Sequence, residues 1–247
     1  MHKEDLVYPG ERVDDLQRNG LKIIQNPEFF CFGMDAVLLS SFVQVPKGAS
    51  VMDLCTGNAV IPLLLQAKTE AGNMEGIEIQ TKIVDLALRS VRLNHWEERV
   101  HIQQMDVKEV PLKKKGASFD VVTCNPPYMK AGHGLLNDRP EKVAARHETL
   151  CDLEDVIRAA DHLLKTGGHF YMVHRPHRFV EILQTLEQFH LEPKDIQFVH
   201  PKKNKEANMV LIHGIKGAKP YLHVWEPLII YKEDGTYSER VRRMYED

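Results

Sequence analysis

The sequence has no cysteines spaced as CxxC, no apolar run long enough to cross a membrane and no large excess of either charge. Its four cysteines, Cys31, Cys55, Cys124 and Cys151, stand apart, which excludes zinc-ribbon and thioredoxin-type sites and fits a reducing compartment. The first residues carry charges with no apolar stretch behind them, so neither a signal peptide nor a membrane span is predicted. We therefore expect a cytoplasmic protein.

The net charge of −3 excludes a uniformly basic nucleic-acid coat protein, although a local basic patch remains compatible with it. The 13 histidines show neither HExxH nor another tight ligand spacing, so no metal site is predicted. A P-loop motif is absent as well. Hydrophobic residues make up 43% of the 247, which suffices for one large folded domain without structural metal or disulfides.

From residue 50 onwards, short apolar runs typical of strands alternate with periodic stretches typical of helices. Strands are predicted at 21–25, 50–54, 74–79, 100–104, 119–124 and 169–174, with a final pair at 196–199 and 209–213. Helices are predicted at 34–43, 60–67, 81–94, 153–164 and 176–189, with Thr81 as a cap and residues 165–168 as a C-terminal stop. This alternation predicts an α/β fold with a parallel sheet covered on both faces. In such folds ligands bind beyond the carboxyl ends of the strands.

Polar groups follow the three strands predicted at 50–54, 74–79 and 100–104. Asp53 ends the first, and Gly57 lies in the turn after it, where glycine lets a ligand approach the backbone. Glu78 ends the second, a position that suits hydrogen bonds to ribose hydroxyls. Asp106, after the third, suits an exocyclic amino group of adenine. Taken singly, a structural role fits each residue at least as well.

The strand predicted at 119–124 is followed by Asn125-Pro126-Pro127-Tyr128, the most specific motif of the chain. Each proline fixes its own φ and extends the residue before it, so the turn is stiff. The amide oxygen of Asn125 and the nearby carbonyls form a rigid set of acceptors for the two hydrogens of a planar amino group. The ring of Tyr128 offers a surface on which a flat group stacks.

Taken together, residues 30–215 resemble class I S-adenosylmethionine-dependent methyltransferases, and the Asn-Pro-Pro-Tyr motif resembles their amino-methylating branch. Segments 32–39 and 145–148 are similar to the bacterial family that methylates N6 of adenine 37 in valine tRNA. The resemblance implies a Rossmann-like, mostly parallel seven-stranded sheet with helices on both faces. It also implies an N-terminal extension, residues 1–45, packed on the cofactor site, and a methyltransferase domain, residues 46–247, with a C-terminal basic segment.

S-adenosylmethionine is the cofactor that the resemblance implies. Cofactor contacts are implied for Asp53, Cys55, Thr56, Gly57, Asn58, Glu78, Ile79, Asp106, Val107 and Asn125, and target-base contacts for Asn125, Pro126, Pro127 and Tyr128. Cys55 and Ala59 occupy positions where the broad class commonly has glycine. Because Gly57 is retained, cofactor binding is expected to survive these departures.

We expect a protein that acts on tRNA without a metal and without membrane contact. The sequence leaves the oligomeric state open, with a monomer slightly favoured. Basic residues on the ligand-bearing side of the sheet are candidates for phosphate contact: Arg175, Arg178, Lys202, Lys203 and Lys205. A charge run is usually only a solvated face, so this assignment depends on the base-methylating motif nearby.

Alternatives share parts of this pattern. A protein glutamine N5-methyltransferase of the release-factor type has the same amide cradle, but residues 1–49 leave little room for its usual N-terminal helical domain. An rRNA guanine N2-methyltransferase belongs to the same branch. A DNA substrate is less favoured, because the chain has no separate target-recognition region. A cofactor-binding module without turnover has no chemical need for the Asn125–Tyr128 cradle.

Overall fold

A computed structural model of the chain describes residues 6–18, 20–29, 31–127 and 151–246. A small antiparallel sheet of β1 (Arg12–Asp15) and β2 (Lys22–Gln25) precedes the main sheet. The main sheet contains β3 (Ser50–Leu54), β4 (Asn73–Glu78), β5 (Val100–Gln104), β6 (Phe119–Cys124), β7 (Leu164–His174), β8 (Leu191–His200), β9 (Met209–Lys216), β10 (His223–Val224) and β11 (Leu228–Ile229). The helices are α1 (Met34–Phe42), α2 (Val60–Lys68), α3 (Thr81–Leu93), α4 (Val110–Lys113), α5 (Leu153–Leu163), α6 (Phe179–Gln188) and α7 (Glu239–Glu246), and 3₁₀ turns at Val107–Glu109 and Pro176–Arg178 precede α4 and α6.

The main sheet has the strand order β10-β8-β9-β7-β6-β3-β4-β5, and β11 also pairs with β8. Strands β3 to β7 are parallel, whereas β9 is antiparallel to both β7 and β8. The α/β prediction is confirmed; within the described residues the sheet has nine strands rather than seven, because β10 and β11, of two residues each, extend its edge. The strand order reverses between β3 and β6, which opens a crevice at their carboxyl ends.

Successive side chains of each strand point to opposite faces of the sheet and contribute to two hydrophobic cores, one on each face. On β3, Val51 packs with α1, α2 and α3, while Met52 packs with α5 and α6 on the opposite face. Both side chains are fully buried. Helices therefore cover both faces of the sheet, as predicted. None of the helices in the described ranges is long and apolar enough to span a bilayer.

Two predicted helix ends were wrong. Gln80, rather than Thr81, is the N-cap of α3, and the Thr81 hydroxyl instead accepts a 2.8 Å hydrogen bond from the Gln104 side chain. Residues 165–168 do not cap α5, because the chain passes directly from α5 into β7. They form an irregularity in the pairing of β6 with β7, where Gly167 adopts a φ of +79°. Glycine marks a strand irregularity as readily as a helix end.

An ion pair between Arg89 and Glu11 fastens the N-terminal segment to α3. The two guanidinium Nη atoms donate hydrogen bonds of 2.6 and 2.8 Å to the Glu11 carboxylate, and both side chains are only 4% exposed. Arg89 also donates to the carbonyl of Leu6 and to Asp85, and it stacks 3.9 Å from the ring centre of Tyr8. This network holds the segment that leads, through β1 and β2, to α1.

Candidate active site at the strand ends

A cavity of about 180 Å³ lies at the carboxyl ends of β3, β4, β5 and β6, where the strand order reverses. Its lining includes the following residues singled out by sequence: Cys55, Thr56, Gly57, Asn58, Glu78, Ile79, Asp106, Val107, Asn125, Pro126 and Pro127. Tyr128 and segment 145–148 lie outside the described residues. The fold thus brings residues from four separate strand ends around one space.

The loop between β3 and α2 is built from left-handed backbone. Cys55, Gly57 and Ala59 have φ values of +56°, +56° and +67°, and Ala59 is the N-cap of α2. A Cβ built on Gly57 would meet no atom within 4 Å, so close packing does not require glycine here; glycine adopts the left-handed φ without the strain that Cys55 and Ala59 accept. The Gly57 N–H donates a 3.1 Å hydrogen bond to Glu78, which fixes the loop against β4.

The Glu78 carboxylate joins the loop to the start of α3. One oxygen accepts the Gly57 N–H, and the other accepts the Gln80 N–H at 3.0 Å. The side chain is buried and lines the cavity. The side-chain amide of Gln80 donates a further bond of 3.4 Å to the same oxygen as its backbone N–H. Because a carboxylate has about four acceptor sites, these three bonds position Glu78 while leaving capacity for a ligand hydroxyl.

Asp106 occupies the matching position after β5. Its carboxylate accepts the Lys108 N–H at 2.9 Å and thereby caps the short 3₁₀ turn Val107–Glu109. Asp106 and Val107 both line the cavity next to Glu78. The turn therefore serves to hold a carboxylate and an apolar side chain at one end of the space.

Asp53 lies beneath the cavity instead of in its lining. The Thr123 hydroxyl donates a 2.6 Å hydrogen bond to one Asp53 oxygen, which ties the end of β3 to β6. The other oxygen is buried with no hydrogen-bond partner in the described residues. The Thr56 hydroxyl lies near enough to lower the Asp53 pKa but does not meet hydrogen-bond geometry. Burial outweighs these hydroxyls and raises the pKa of Asp53 to about 7.

We expect the stability of the protein to decline between pH 5 and pH 7 because of Asp53. Its folded-state pKa of about 7 exceeds the reference value of 3.8, so in this range the folded state retains a proton that the unfolded state has lost. The free energy of unfolding then falls by about 2 kcal/mol as the pH rises across the window. The Asp53→Asn variant lacks this pH-dependent contribution to stability. Urea unfolding of the unmodified protein and the variant at several pH values measures the difference in their free energies of unfolding. A difference that stays constant with pH would contradict the assignment.

The chain leaves β6 through Asn125, Pro126 and Pro127, which form the cavity wall next to the glycine loop. Cys124, the residue before them, is fully buried and pairs in register with Leu54 of β3. The turn thus begins directly at the end of β6, which pairs with β3 in the centre of the sheet. Its acceptors are held at a fixed position relative to the loop.

Three thiols cluster at this wall. The sulfur atoms of Cys55 and Cys151 are 4.0 Å apart, and both residues line the cavity. The contact with Cys55 and burial raise the pKa of Cys151 well above its ordinary value, and burial likewise raises that of Cys124. These thiols are therefore neutral and unsuited to act as nucleophiles.

The sequence prediction missed part of the lining. Phe32, Asp35 and Ala36 reach the cavity from the segment that begins α1, and Cys151 reaches it from the start of α5. The similarity of segment 32–39 to a known family was the one signal that pointed to the first group. The described residues contain no group of three histidine, cysteine or acidic side chains placed to hold a metal ion.

The basic candidates separate into buried and exposed groups. Arg178 is only 5% exposed and forms two hydrogen bonds with Glu181, so it is not placed for phosphate contact as predicted. Arg175 follows β7 and donates a 2.9 Å hydrogen bond to the carbonyl of Asn208, in the loop between β8 and β9. Lys202, Lys203 and Lys205 are exposed on this same loop. Because β8 runs parallel to β7, the loop after β8 lies on the same side of the sheet as the cavity, at the carboxyl ends of the parallel strands.

Sequence comparisons identify related proteins over most of the chain. A family model described as a methyltransferase domain matches residues 46–234. The tRNA1(Val) (adenine(37)-N6)-methyltransferase of Aeromonas hydrophila is 28% identical over 211 residues, which cover 84% of this chain and 85% of that protein. The protein of the same name from Pasteurella multocida is 29% identical over 206 residues, 83% of this chain and 84% of its own length.

Solved structures share the fold. A predicted O-methyltransferase from Agrobacterium tumefaciens superposes with a TM-score of 0.70 at 23% identity, over 86% of this chain and 95% of that one. A geranyl diphosphate C-methyltransferase from Streptomyces coelicolor, in complex with S-adenosyl-L-homocysteine, gives a TM-score of 0.56 at 13% identity, over 73% and 78% of the two chains.

Proposed function

Because the chain belongs to the methyltransferase domain family, we propose that it transfers the methyl group of S-adenosylmethionine to N6 of an adenine in tRNA, at position 37 of valine tRNA. The observation that carries this proposal is the Asn125-Pro126-Pro127 turn in the wall of the cavity. The names of the relatives from Aeromonas hydrophila and Pasteurella multocida support the choice of tRNA adenine.

The cavity fits S-adenosylmethionine. The backbone at Gly57 leaves open space for close approach, and Glu78 has acceptor sites for ribose hydroxyls. Asp106 and Val107 provide an acceptor and an apolar contact for the cofactor adenine. When bound, the cofactor supplies an electrophilic methyl group on a sulfonium. The proposed contacts with adenine, ribose and the methionine end thus come from the ends of β5, β4 and β3 in turn, and the target amino group lies at the end of β6.

Asn125 and Pro126 are proposed to hold the target amino group. The Asn125 Oδ1 and the Pro126 carbonyl oxygen accept hydrogen bonds from its two N–H groups. These bonds favour a pyramidal nitrogen and stabilise the positive charge that develops on it. The prolines keep these acceptors in place, so little reorganisation accompanies the reaction. The nitrogen becomes acidic only after transfer, so the site requires no strong base beforehand. Tyr128, the next residue, is proposed to stack on the target base.

The N-terminal residues belong to the same site in this proposal. Residues 1–45 are proposed to be an extension that packs on the cofactor, and the position of Phe32 and Asp35 in the cavity lining supports this. The described part of residues 6–49 forms β1, β2 and α1 instead of a separate helical domain.

Incubation with labelled S-adenosylmethionine and unmodified tRNA tests the function. We expect label in N6-methyladenosine on nucleoside mass spectrometry, and its loss when the adenine at position 37 is replaced. Label in N2-methylguanosine of rRNA, or in glutamine of a release factor, would identify one of the alternatives. A protein that binds the cofactor but labels none of these substrates would contradict the proposal.

The exposed lysines are proposed to contact tRNA phosphates. We expect the triple substitution Lys202→Ala, Lys203→Ala and Lys205→Ala to weaken tRNA binding about tenfold at physiological salt. It should also reduce the slope of log affinity against log salt by about 2 to 3, because up to three counterion-releasing contacts disappear. Filter binding of tRNA over a range of salt concentrations measures both effects.

A matched control removes the same number of lysine charges at the amino ends of the parallel strands, on the side of the sheet opposite the cavity. Lys47, Lys113 and Lys115 are exposed and lie before β3 and β6, away from the cavity. Their joint substitution by alanine should leave the salt slope unchanged. Equal losses from the two triple variants would show a diffuse charge effect and would contradict the proposed contact surface.

A further inference from the structure

A second cavity, of about 200 Å³, is bordered by α1 and α7 and lies over the antiparallel part of the main sheet. It is as large as the cavity at the strand ends, and among the described residues the two linings share none. Its floor comes from β7, β8 and β9, and its walls come from the C-terminal half of α1, from α7 and from Trp225, which follows β10. The function proposed above leaves this cavity without a role.

The floor of this second cavity combines aromatic rings with polar groups. Tyr171 of β7 and His213 of β9 are paired in register, and their rings stack with centres 4.4 Å apart. Asp195 of β8 lies opposite His213 and accepts a 2.7 Å hydrogen bond from its Nδ1. A ligand pocket commonly has this composition, with flat apolar surfaces and a few fixed hydrogen-bonding groups.

Trp225 forms a fixed wall of the cavity. Its indole Nε1–H donates a 3.0 Å hydrogen bond to Asp195, and its backbone N–H donates a 2.8 Å bond to the carbonyl of Ile196. Trp225 is nevertheless 42% exposed. Because the two Asp195 oxygens accept N–H groups from Trp225 and His213, this carboxylate orients the two rings. A ring that is held in advance stacks on a planar ligand with little loss of conformational entropy.

Gln197 provides a fixed hydrogen-bond acceptor in the same lining. It is only 3% exposed, and its Nε2 donates a 2.9 Å hydrogen bond to the carbonyl of Glu226. This bond sets the orientation of the side-chain amide. Its Oε1 has no hydrogen-bond partner within the part of the chain that the structure describes. Buried polar atoms are normally paired, so this oxygen is suited to accept an N–H of a ligand.

Arg240 contributes a positive charge to the cavity. It is the second residue of α7, it is exposed and it belongs to the lining. Arg242 and Arg243 of the same helix lie 2.8 and 3.5 Å from the Glu239 carboxylate. Arg240, in contrast, has neither an ion pair nor a hydrogen bond with any side chain in the described ranges. A guanidinium without a carboxylate partner is well suited to bind a phosphate.

We propose that this second cavity binds a nucleotide. The base stacks on the ring of Trp225 and donates an N–H to Gln197, and the phosphate pairs with Arg240. A nucleotide joins a planar ring, N–H donors and an anion in one ligand, which matches these three features of the cavity. A free nucleotide and an unpaired nucleotide of a bound RNA present the same groups. The inference depends on neither the cofactor nor the methyl acceptor proposed above.

Tryptophan fluorescence tests the proposal. The chain has two tryptophans, so Trp96→Phe leaves Trp225 as the single reporter. The ligands are the four ribonucleoside 5′-monophosphates and an unstructured pentaribonucleotide of mixed sequence. Saturating S-adenosylhomocysteine is added to keep nucleotides out of the cavity at the strand ends. We expect at least one ligand to quench Trp225 with a Kd below about 1 mM. Ribose 5-phosphate, which lacks the base, should neither quench nor compete.

Two arginine variants on α7 locate the binding. Arg240→Ala should raise the Kd about tenfold, the scale of one charge-assisted hydrogen bond. Arg243→Ala removes the same charge one helical turn further along, outside the cavity lining, and should leave the Kd within twofold. Both residues are exposed, and thermal unfolding verifies that the variants remain folded.

The outcomes separate the two sources of the nucleotide and the failure of the proposal. Binding of the pentaribonucleotide at least tenfold tighter than that of any monophosphate supports the proposal with RNA as the source, and closer affinities support it with a free nucleotide. A Kd above about 1 mM for every ligand overturns it. Equal losses in Arg240→Ala and Arg243→Ala, or competition by ribose 5-phosphate at the same affinity, overturn it as well. Methylation of tRNA is measured separately, so a failure here leaves the proposed reaction untouched.

Discussion

Asn125→Ala is expected to lower kcat by about 100-fold or more, the scale of removing one oriented polar group that acts on the transition state. The substitution removes the Oδ1 acceptor while Pro126 and Pro127 keep the turn in place. Charge develops on the target nitrogen only during transfer, so the loss falls on the rate and not on substrate affinity. Single-turnover methylation of tRNA with labelled cofactor measures it directly.

Asn125→Asp provides the matched comparison. A carboxylate oxygen replaces the amide oxygen as acceptor, so this variant should retain substantially more activity than Asn125→Ala. Calorimetry with S-adenosylhomocysteine should show a much smaller effect on affinity than on rate in both variants. If aspartate were as inactive as alanine, the amide N–H group would be the required feature and the acceptor role would be wrong.

Arg89→Ala is expected to lower the free energy of unfolding by about 3–5 kcal/mol, because it leaves the buried Glu11 carboxylate without its partner. Burial opposes ionisation of Glu11, but the bonds from Arg89 and from the Tyr8 N–H prevail and hold the Glu11 pKa below its ordinary value. A group with a lowered folded-state pKa stabilises the protein above its unfolded pKa and loses that effect in acid. The loss in Arg89→Ala is therefore largest at neutral pH.

Urea unfolding followed by circular dichroism measures this effect. Arg92→Ala, an exposed arginine three residues further along α3, is the control and should change stability by no more than about 0.5 kcal/mol. The double variant Glu11→Gln, Arg89→Met removes both charges and should recover part of the loss. A cost below about 1 kcal/mol for Arg89→Ala would mean that the ion pair contributes little.

The central strands could be predicted well because each is a buried apolar run with a polar end. The bounds predicted for β3, β5 and β6 agree with the structure. Both faces of β3 and β6 are covered, whereas β5 ends the strand order and buries only the alternate residues Val100 and Ile102. The two-residue strands β10 and β11 could not be predicted, because they are too short for a periodic pattern and form only beside β8.

Site residues could be predicted where a polar side chain lies at or directly after the end of a strand. Glu78 and Asp106 reach the cavity because Glu78 is the last residue of β4 and Asp106 follows shortly after β5, and the cavity lies at the carboxyl ends of both strands. Asp35 was missed, since it reaches the cavity through the packing of α1 on α2, a contact that local sequence does not encode. Arg178 was misplaced for a related reason: its guanidinium pairs with Glu181, one helical turn on, and the Arg178 side chain is buried although that of Glu181 is exposed.

The attachment of the N-terminal segment to α3 also sets an order of events during synthesis. Glu11 lies 78 residues before Arg89, so on the ribosome its partner is made about 4 to 16 seconds later. Until then the Glu11 carboxylate remains in water, and the segment that leads to Asp35 has no anchor on α3. The cofactor-facing wall that is translated first is therefore completed only after the β4–α3 unit has emerged.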